Sequence, residues 1–204
     1  MRLVNPDGRT RLEYHPADPG TQWRLYGEGK SRWLASFSEV PAEILARLTD
    51  ALVLPAPATT PSLLDVLGSR GWHIGTGFAR SPDNRCLIDR PSYLAGWRID
   101  VLRHPLLDRP GAPVWTGTIP DAAPPHLAAA FVTALADPAP LLRGMYDRTH
   151  LPESRRQRSP VTSEQFVTAH TDRLRALRAA ARSSPPESAP KESTTAQHRH
   201  FGRH

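Results

Sequence analysis

The chain has 204 residues, 39% of them hydrophobic and 23% charged, so a packed core is affordable on composition. No apolar run approaches the roughly 18 residues that a spanning helix needs, and the single cysteine, Cys86, excludes an internal disulfide and a zinc site built on cysteines. The net charge of +6 is uneven: residues 1–140 hold 14 basic and 14 acidic side chains, residues 141–204 hold 12 and 6, so attraction to a polyanion is expected from the C-terminal third.

Met1–Val4 makes a short first strand. It leads into Asn5-Pro6-Asp7-Gly8, a turn sequence: proline presets φ, Asp tolerates the tight bend, and Gly accepts positive φ. The next strand alternates, with Leu12 and Tyr14 inward and Arg11 and Glu13 outward. A third carries Trp23 and Leu25 at period two, and a fourth Trp33, Ala35 and Phe37. A helix follows, with Pro41 in its first turn and Ile44, Leu45, Leu48, Ala51 and Leu52 on one face, until Pro55-Ala56-Pro57. Pro61–Arg70 reads as a short helix capped by Thr60 and stopped at Gly71.

The same order then recurs. Ser81-Pro82-Asp83-Asn84 stands 76 residues after the first turn, Trp97 is 74 after Trp23, and Trp115 is 82 after Trp33. Trp72 and Ile74 begin this second unit, and Gly75-Thr76-Gly77 is expected to bend its first strand. Its helix starts near Pro124, carries Leu127, Ala128, Phe131, Ala134 and Leu135 on one face, and ends before Pro138-Ala139-Pro140. Beyond residue 140 an Arg-rich stretch precedes a third helix, Ser163–Arg182. From Ser183 the composition predicts disorder.

The S-P-D-N-R segment, the paired tryptophans and the helix ending A-A-F-V-T-A-L-A-D-P-A-P resemble the actinobacterial SPDY-motif domain of unknown function, common in streptomycetes. The resemblance covers roughly residues 3–142 and implies two copies joined by a short helix that ends in Gly71-Trp72. It departs from the family pattern at Asn5-Pro6-Asp7-Gly8 and at Asn84, which stands in the Tyr position. It departs again at Val40-Pro41 and Ala123-Pro124, where the family has Thr-Pro. Each missing oxygen cap is expected to cost about 1 kcal/mol. The chain begins close to the first hairpin, so the upstream segment of longer relatives is expected to be absent. The family implies architecture and no activity.

Candidate chemistry is sparse. G-x-S-x-G is lacking. Ser81 and Asp83 suit a turn better than a nucleophile pair, because Asn5-Pro6-Asp7 repeats the pattern. Cys86 has no neighbouring histidine in sequence and reads as structural. Gly27-Glu28-Gly29-Lys30-Ser31 lacks phosphate-loop spacing and reads as a hairpin turn. Of nine histidines, only His198, His200 and His204 lie close together, in the tail expected to be disordered, and no metal site is assigned. Trp23, Trp33, Trp97 and Trp115 would serve either as base-stacking platforms or as core; the neutral body favours core. The remaining signal is arginine: Arg155, Arg156 and Arg158, then Arg173, Arg175, Arg178 and Arg182 on the last helix, suited equally to gripping phosphates or to a solvated helix face.

The expected fold is therefore α+β: two tandem β-β-β-β-α repeats in a pseudo-two-fold arrangement, plus a C-terminal helix and a disordered tail. The boundaries fall at 1–57 and 72–142 for the repeats, 58–71 for the linker helix, 143–182 for the Arg-rich segment and helix, and 183–204 for the tail. The element order is similar to that of Pur-type single-strand-binding repeats, a likeness of fold alone. The expected role is a non-catalytic binding module in the cytosol, with no cofactor and no membrane partner. It associates with nucleic acid through the Arg-rich segment; the alternative is a protein-interaction or self-association module.

Overall fold

The computed structural model describes residues 2–5, 8–18, 20–28, 31–104, 113–139 and 162–183. Among them are nine strands and four helices. The first part of the chain forms β1 (Arg2–Val4), β2 (Thr10–Tyr14), β3 (Trp23–Glu28), β4 (Arg32–Phe37) and α1 (Ala42–Val53). Then come α2 (Leu63–Ser69), β5 (His73–Gly75), β6 (Phe78–Arg80), β7 (Cys86–Asp89), β8 (Gly96–Leu102), β9 (Pro113–Pro120), α3 (Pro125–Leu135) and α4 (Ser163–Ser183). The protein is α+β, with all nine strands in one antiparallel sheet of order β1-β2-β3-β4-β9-β8-β7-β6-β5.

Period-two alternation sets the two faces of this sheet. On one face Leu3 opposes Leu12, Leu12 opposes Leu25 and Leu25 opposes Ala35. Further along, Ala79 opposes Ile88, Ile88 opposes Ile99 and Ile99 opposes Gly117. The two series meet where β4 pairs with β9, at Ser36 with Thr118 and Phe37 with Gly117. Helices α1, α2 and α3 cover the inner face, and the core lies between them and the sheet. Phe37 stacks on Phe131 with ring centroids 5.0 Å apart, and Trp115 meets Phe131 edge-on at 6.4 Å.

The helical periodicity is realised with unequal widths. Helix α1 buries Ile44, Leu45 and Leu48, a narrow stripe. Helix α3 buries Leu127, Ala129, Phe131 and Val132, a wider arc, because α1 flanks it on one side and α2 on the other. Pro41 and Pro124 stand at the caps, outside the helices, and neither supplies a side-chain oxygen to the first turn.

Two expectations are corrected. The cap of α2 is Ser62 rather than Thr60: Ser62 Oγ accepts from the Asp65 N–H at 3.1 Å, and Asp65 accepts from the Ser62 N–H, a reciprocal box that Thr60, ahead of Pro61, has no geometry to make. Residues 72–80 are not one bent strand. Gly77, at φ +75°, turns the chain back on itself, so that Gly75 opposes Phe78 and β5 and β6 form a hairpin. The second part of the chain therefore has five strands where four were expected. Of the tail expected to be disordered, 183–204, Ser183 is instead the last residue of α4, and 184–204 lie outside the described residues, as do Arg155, Arg156 and Arg158.

Candidate functional site

The S-P-D-N segment is a turn whose polar groups are spent on the backbone. Ser81 Oγ donates to Asp83 Oδ1 at 2.6 Å and accepts from the N–H groups of Cys86 at 2.8 Å and Arg85 at 3.1 Å. Asn84 takes φ +56° and its N–H reaches the Ser81 carbonyl at 2.9 Å. The first turn repeats this: Gly8 sits at φ +70° and its N–H reaches the Asn5 carbonyl at 2.8 Å, while Pro6 and Asp7 lie outside the described residues. A hydroxyl so engaged is a poor nucleophile. Cys86 is buried, and desolvation, helped by Asp83 and Asp100 nearby, pushes its thiol far above the ordinary range; it is an inert core residue.

The four matched tryptophans sit on the helix side of the sheet. Trp33 and Trp115 are 6% and 4% exposed, and Trp23 and Trp97 are half-buried against the same core. Tyr14 lies 4.5 Å from Trp23 and the Arg90 guanidinium 5.1 Å from Trp97, so even the half-buried rings have partners. Gly27 is required beside Trp33, because a Cβ there would overlap the indole.

The other face of the sheet carries charge in pairs. One cross-strand row runs Glu13, Arg24, Ser36, Thr118, Arg98, Asp89. Arg24 is held by Asp18 at 2.7 Å, and Arg98 by Asp100 at 2.9 Å and the Tyr93 hydroxyl at 2.7 Å. The two carboxylates at the ends of the row differ. His15, hydrogen-bonded at 3.2 Å, holds Glu13 below its ordinary value, aided by Arg11 and Arg2. Desolvation and the Asp100 charge raise Asp89, against the pull of Arg98.

Of the arginines assigned to α4, the structure describes four. Arg173 makes a two-pronged contact with Asp50 of α1, at 2.6 and 2.7 Å to the two carboxylate oxygens, and its Nη2 approaches the Ala46 carbonyl at 3.4 Å. Arg175 pairs with Asp172 one turn back at 2.6 Å. Arg178 and Arg182 are exposed. Sequence distance hid the role of Arg173, since Asp50 lies 123 residues away. No spacing in the chain announced it.

One incomplete part of the surface lies beside β1. An apolar groove of about 350 Å³ opens between α1 and strands β1, β2 and β3, walled by Leu3, Trp23, Leu45, Ala46, Leu52 and Val53. Thr10, also in its wall, has a buried hydroxyl with no hydrogen-bond partner among the described residues. Leu3, Val4 and Val53 are exposed, and among the described residues β1 pairs on one side only. This feature was not read from the sequence: its residues look like the rim of a core, and the groove exists because no other described residue covers them.

The geometry is that of an α+β sheet protein whose turn motif and tryptophans build the scaffold. Among the described residues no three His, Cys, Asp or Glu side chains gather as a metal site, and no helix is long and apolar enough to cross a membrane. The family model SPDY, a domain of unknown function (DUF317), matches residues 4–58 and 73–141, and the chain belongs to that family. No curated protein and no solved structure matches it.

Proposed function

We propose that this protein is a non-catalytic interaction module of two repeats related by an approximate two-fold axis at the Ser36–Thr118 pair, and that it binds a protein partner on its first repeat. Identical pairing supports the repeat reading. Val4 opposes Arg11 as Arg80 opposes Leu87, Glu13 opposes Arg24 as Asp89 opposes Arg98, and Gly27 opposes Trp33 as Val101 opposes Trp115. The fifth strand and α2 are then additions to the second repeat. The observation that carries the binding reading is the apolar groove beside the outer edge of β1, both open among the described residues: an exposed apolar patch beside a strand edge is a surface suited to a partner. The engaged Ser81 hydroxyl and the inert Cys86 thiol support a non-catalytic role. The lone cysteine is compatible with the cytosol.

A photo-crosslinking amino acid at exposed Val53 tests the reading in cells of the source organism. A discrete adduct heavier than the chain is expected; irradiation that yields only the free chain overturns it.

Nucleic-acid association through the Arg-rich segment is the second reading, favoured by the excess of 12 basic over 6 acidic residues in 141–204. Two of its arginines are already paired with carboxylates, Arg173 and Arg175, which weakens it. Fluorescence anisotropy with single-stranded DNA, duplex DNA and RNA decides: binding that collapses in salt and in a chain ending at residue 150 would restore this reading.

A further inference from the structure

The covered half of the sheet says what the uncovered half lacks. Strand β6, the counterpart of β1 by its pairing, is hydrogen-bonded on both sides, to β7 and to β5. Helix α2 lies beside α3 over β5 and β6, with Leu63 and Leu67 buried. Gly71, at φ +79°, ends it; the Trp72 N–H returns to the Leu67 carbonyl at 3.2 Å, and the buried Trp72 leads straight into β5. One helix–turn–strand piece, residues 61–75, thus closes the inner surface of this half and pairs along β6, with β5 as the outermost strand. In the other half the surface between α1 and β1 is the groove, and the edge is β1. The consequence is visible at one matched pair: Ala79 on β6 is 0% exposed, and Leu3 on β1 is 54% exposed.

We propose that the groove and the β1 edge receive a helix–turn–strand segment of a second polypeptide, built like residues 61–75. Two leucines at i and i+4 would enter the groove between Leu3 and Leu52, a tight turn would follow, and a short strand would pair antiparallel with β1. Both contacts are established modes of peptide recognition, an amphipathic helix laid in an apolar groove and a strand added to a sheet edge. Thr10, whose buried hydroxyl has no hydrogen-bond partner among the described residues, lines the same groove. The inference rests on the interaction-module reading and gives that module its ligand chemistry.

The chain supplies its own probe. A fluorescein-labelled peptide with the sequence of residues 61–75 is titrated with the full-length protein and followed by anisotropy. Saturable binding is expected below about 1 mM, weakened about tenfold or more when Leu63 and Leu67 of the peptide are both replaced by Asp. Ala46→Trp, which fills the groove from α1, should abolish binding; Leu3→Asp, at an exposed edge position, should do the same without burdening the core. Loss of binding in either groove variant, with its far-ultraviolet spectrum unchanged, places the peptide in this groove and not in the site held by α2. Absence of saturable binding overturns the proposal. So does binding indifferent to both substitutions. A wild-type dimer that Leu3→Asp splits into monomers also overturns it, because the groove is then closed by a second copy. If the peptide fails while Val53 still crosslinks to a partner, only the helix–turn–strand chemistry is lost; if both fail, the module reading goes with it.

Discussion

The two halves of the sheet share their inner pattern and their strand registers but not their closure. In the half made by β6 to β9, Leu63 and Leu67 of α2 seal the space beside α3, and β5 adds a strand outside β6. In the half made by β1 to β4, Trp23, Leu45 and Leu52 face a groove, and β1 ends the sheet. The same apolar surface is thus core in one place and accessible in the other. Burial converts such surface into stability at roughly 25 cal/mol per Å²; left open, it remains available for association.

Truncations give the largest contrast. Leu67→Ala, at a fully buried side chain, is expected to cost about 2–5 kcal/mol in urea unfolding. Leu3→Ala, at the exposed edge of the other half, should stay within about 0.5 kcal/mol. Equal losses would mean that the groove is closed in solution.

The Gly27 and Val101 positions sharpen the comparison next, since each opposes a buried tryptophan. Gly27→Ala must displace the Trp33 ring and should cost about 1–3 kcal/mol, whereas Trp115 already accommodates Val101. A silent Gly27→Ala would show that the two indoles are seated alike.

Helix α4 is attached to the first half through the Arg173–Asp50 contact, in which the arginine is 31% exposed and the aspartate 15%. Discounted for that exposure, Arg173→Ala is expected to cost about 1–2 kcal/mol. The loss should be local: faster amide exchange in α4, with the unfolding midpoint of the sheet unmoved. A shifted global midpoint would make α4 part of the core.

The two turns differ by one residue type at the same left-handed position. Gly8→Ala should lose about 1 kcal/mol, while Asn84→Gly should change stability by a few tenths.

The last contrast is one of sign. Glu13 is held below its ordinary value by its hydrogen bond to His15, so its contribution is present at neutral pH and lost as pH falls through its folded pKa. Asp89 is raised by desolvation and by Asp100, so the folded state favours its protonated form and stability is gained as pH falls toward its folded pKa. Carboxyl NMR titration should find Glu13 below and Asp89 above their usual ranges. At neutral pH, Glu13→Gln should destabilise and Asp89→Asn should stabilise; shifts of the same sign would deny the difference between the two ends of the row.

Local physics made much of this protein legible from its residues. Asn-Pro-Asp-Gly and Ser-Pro-Asp-Asn each specify a turn because proline and a residue tolerant of positive φ stand at fixed offsets. The α1 stripe of Ile44, Leu45 and Leu48 follows from helical period, and Trp33, Ala35 and Phe37 share a face because strand period is two. Where local signals competed, the reading failed. Thr60 looked like a cap until Ser62 and Asp65 closed a box, and Gly77 reversed the chain where a bend was expected. The rest was decided by the tertiary structure alone. The strands that meet at the centre, β4 and β9, pair across about 80 residues of sequence, and whether Arg173 is a free cation depends on a carboxylate 123 residues away. The groove beside β1 is the clearest case. Residue pattern marks a surface as apolar, but only the assembled fold decides whether another element covers it.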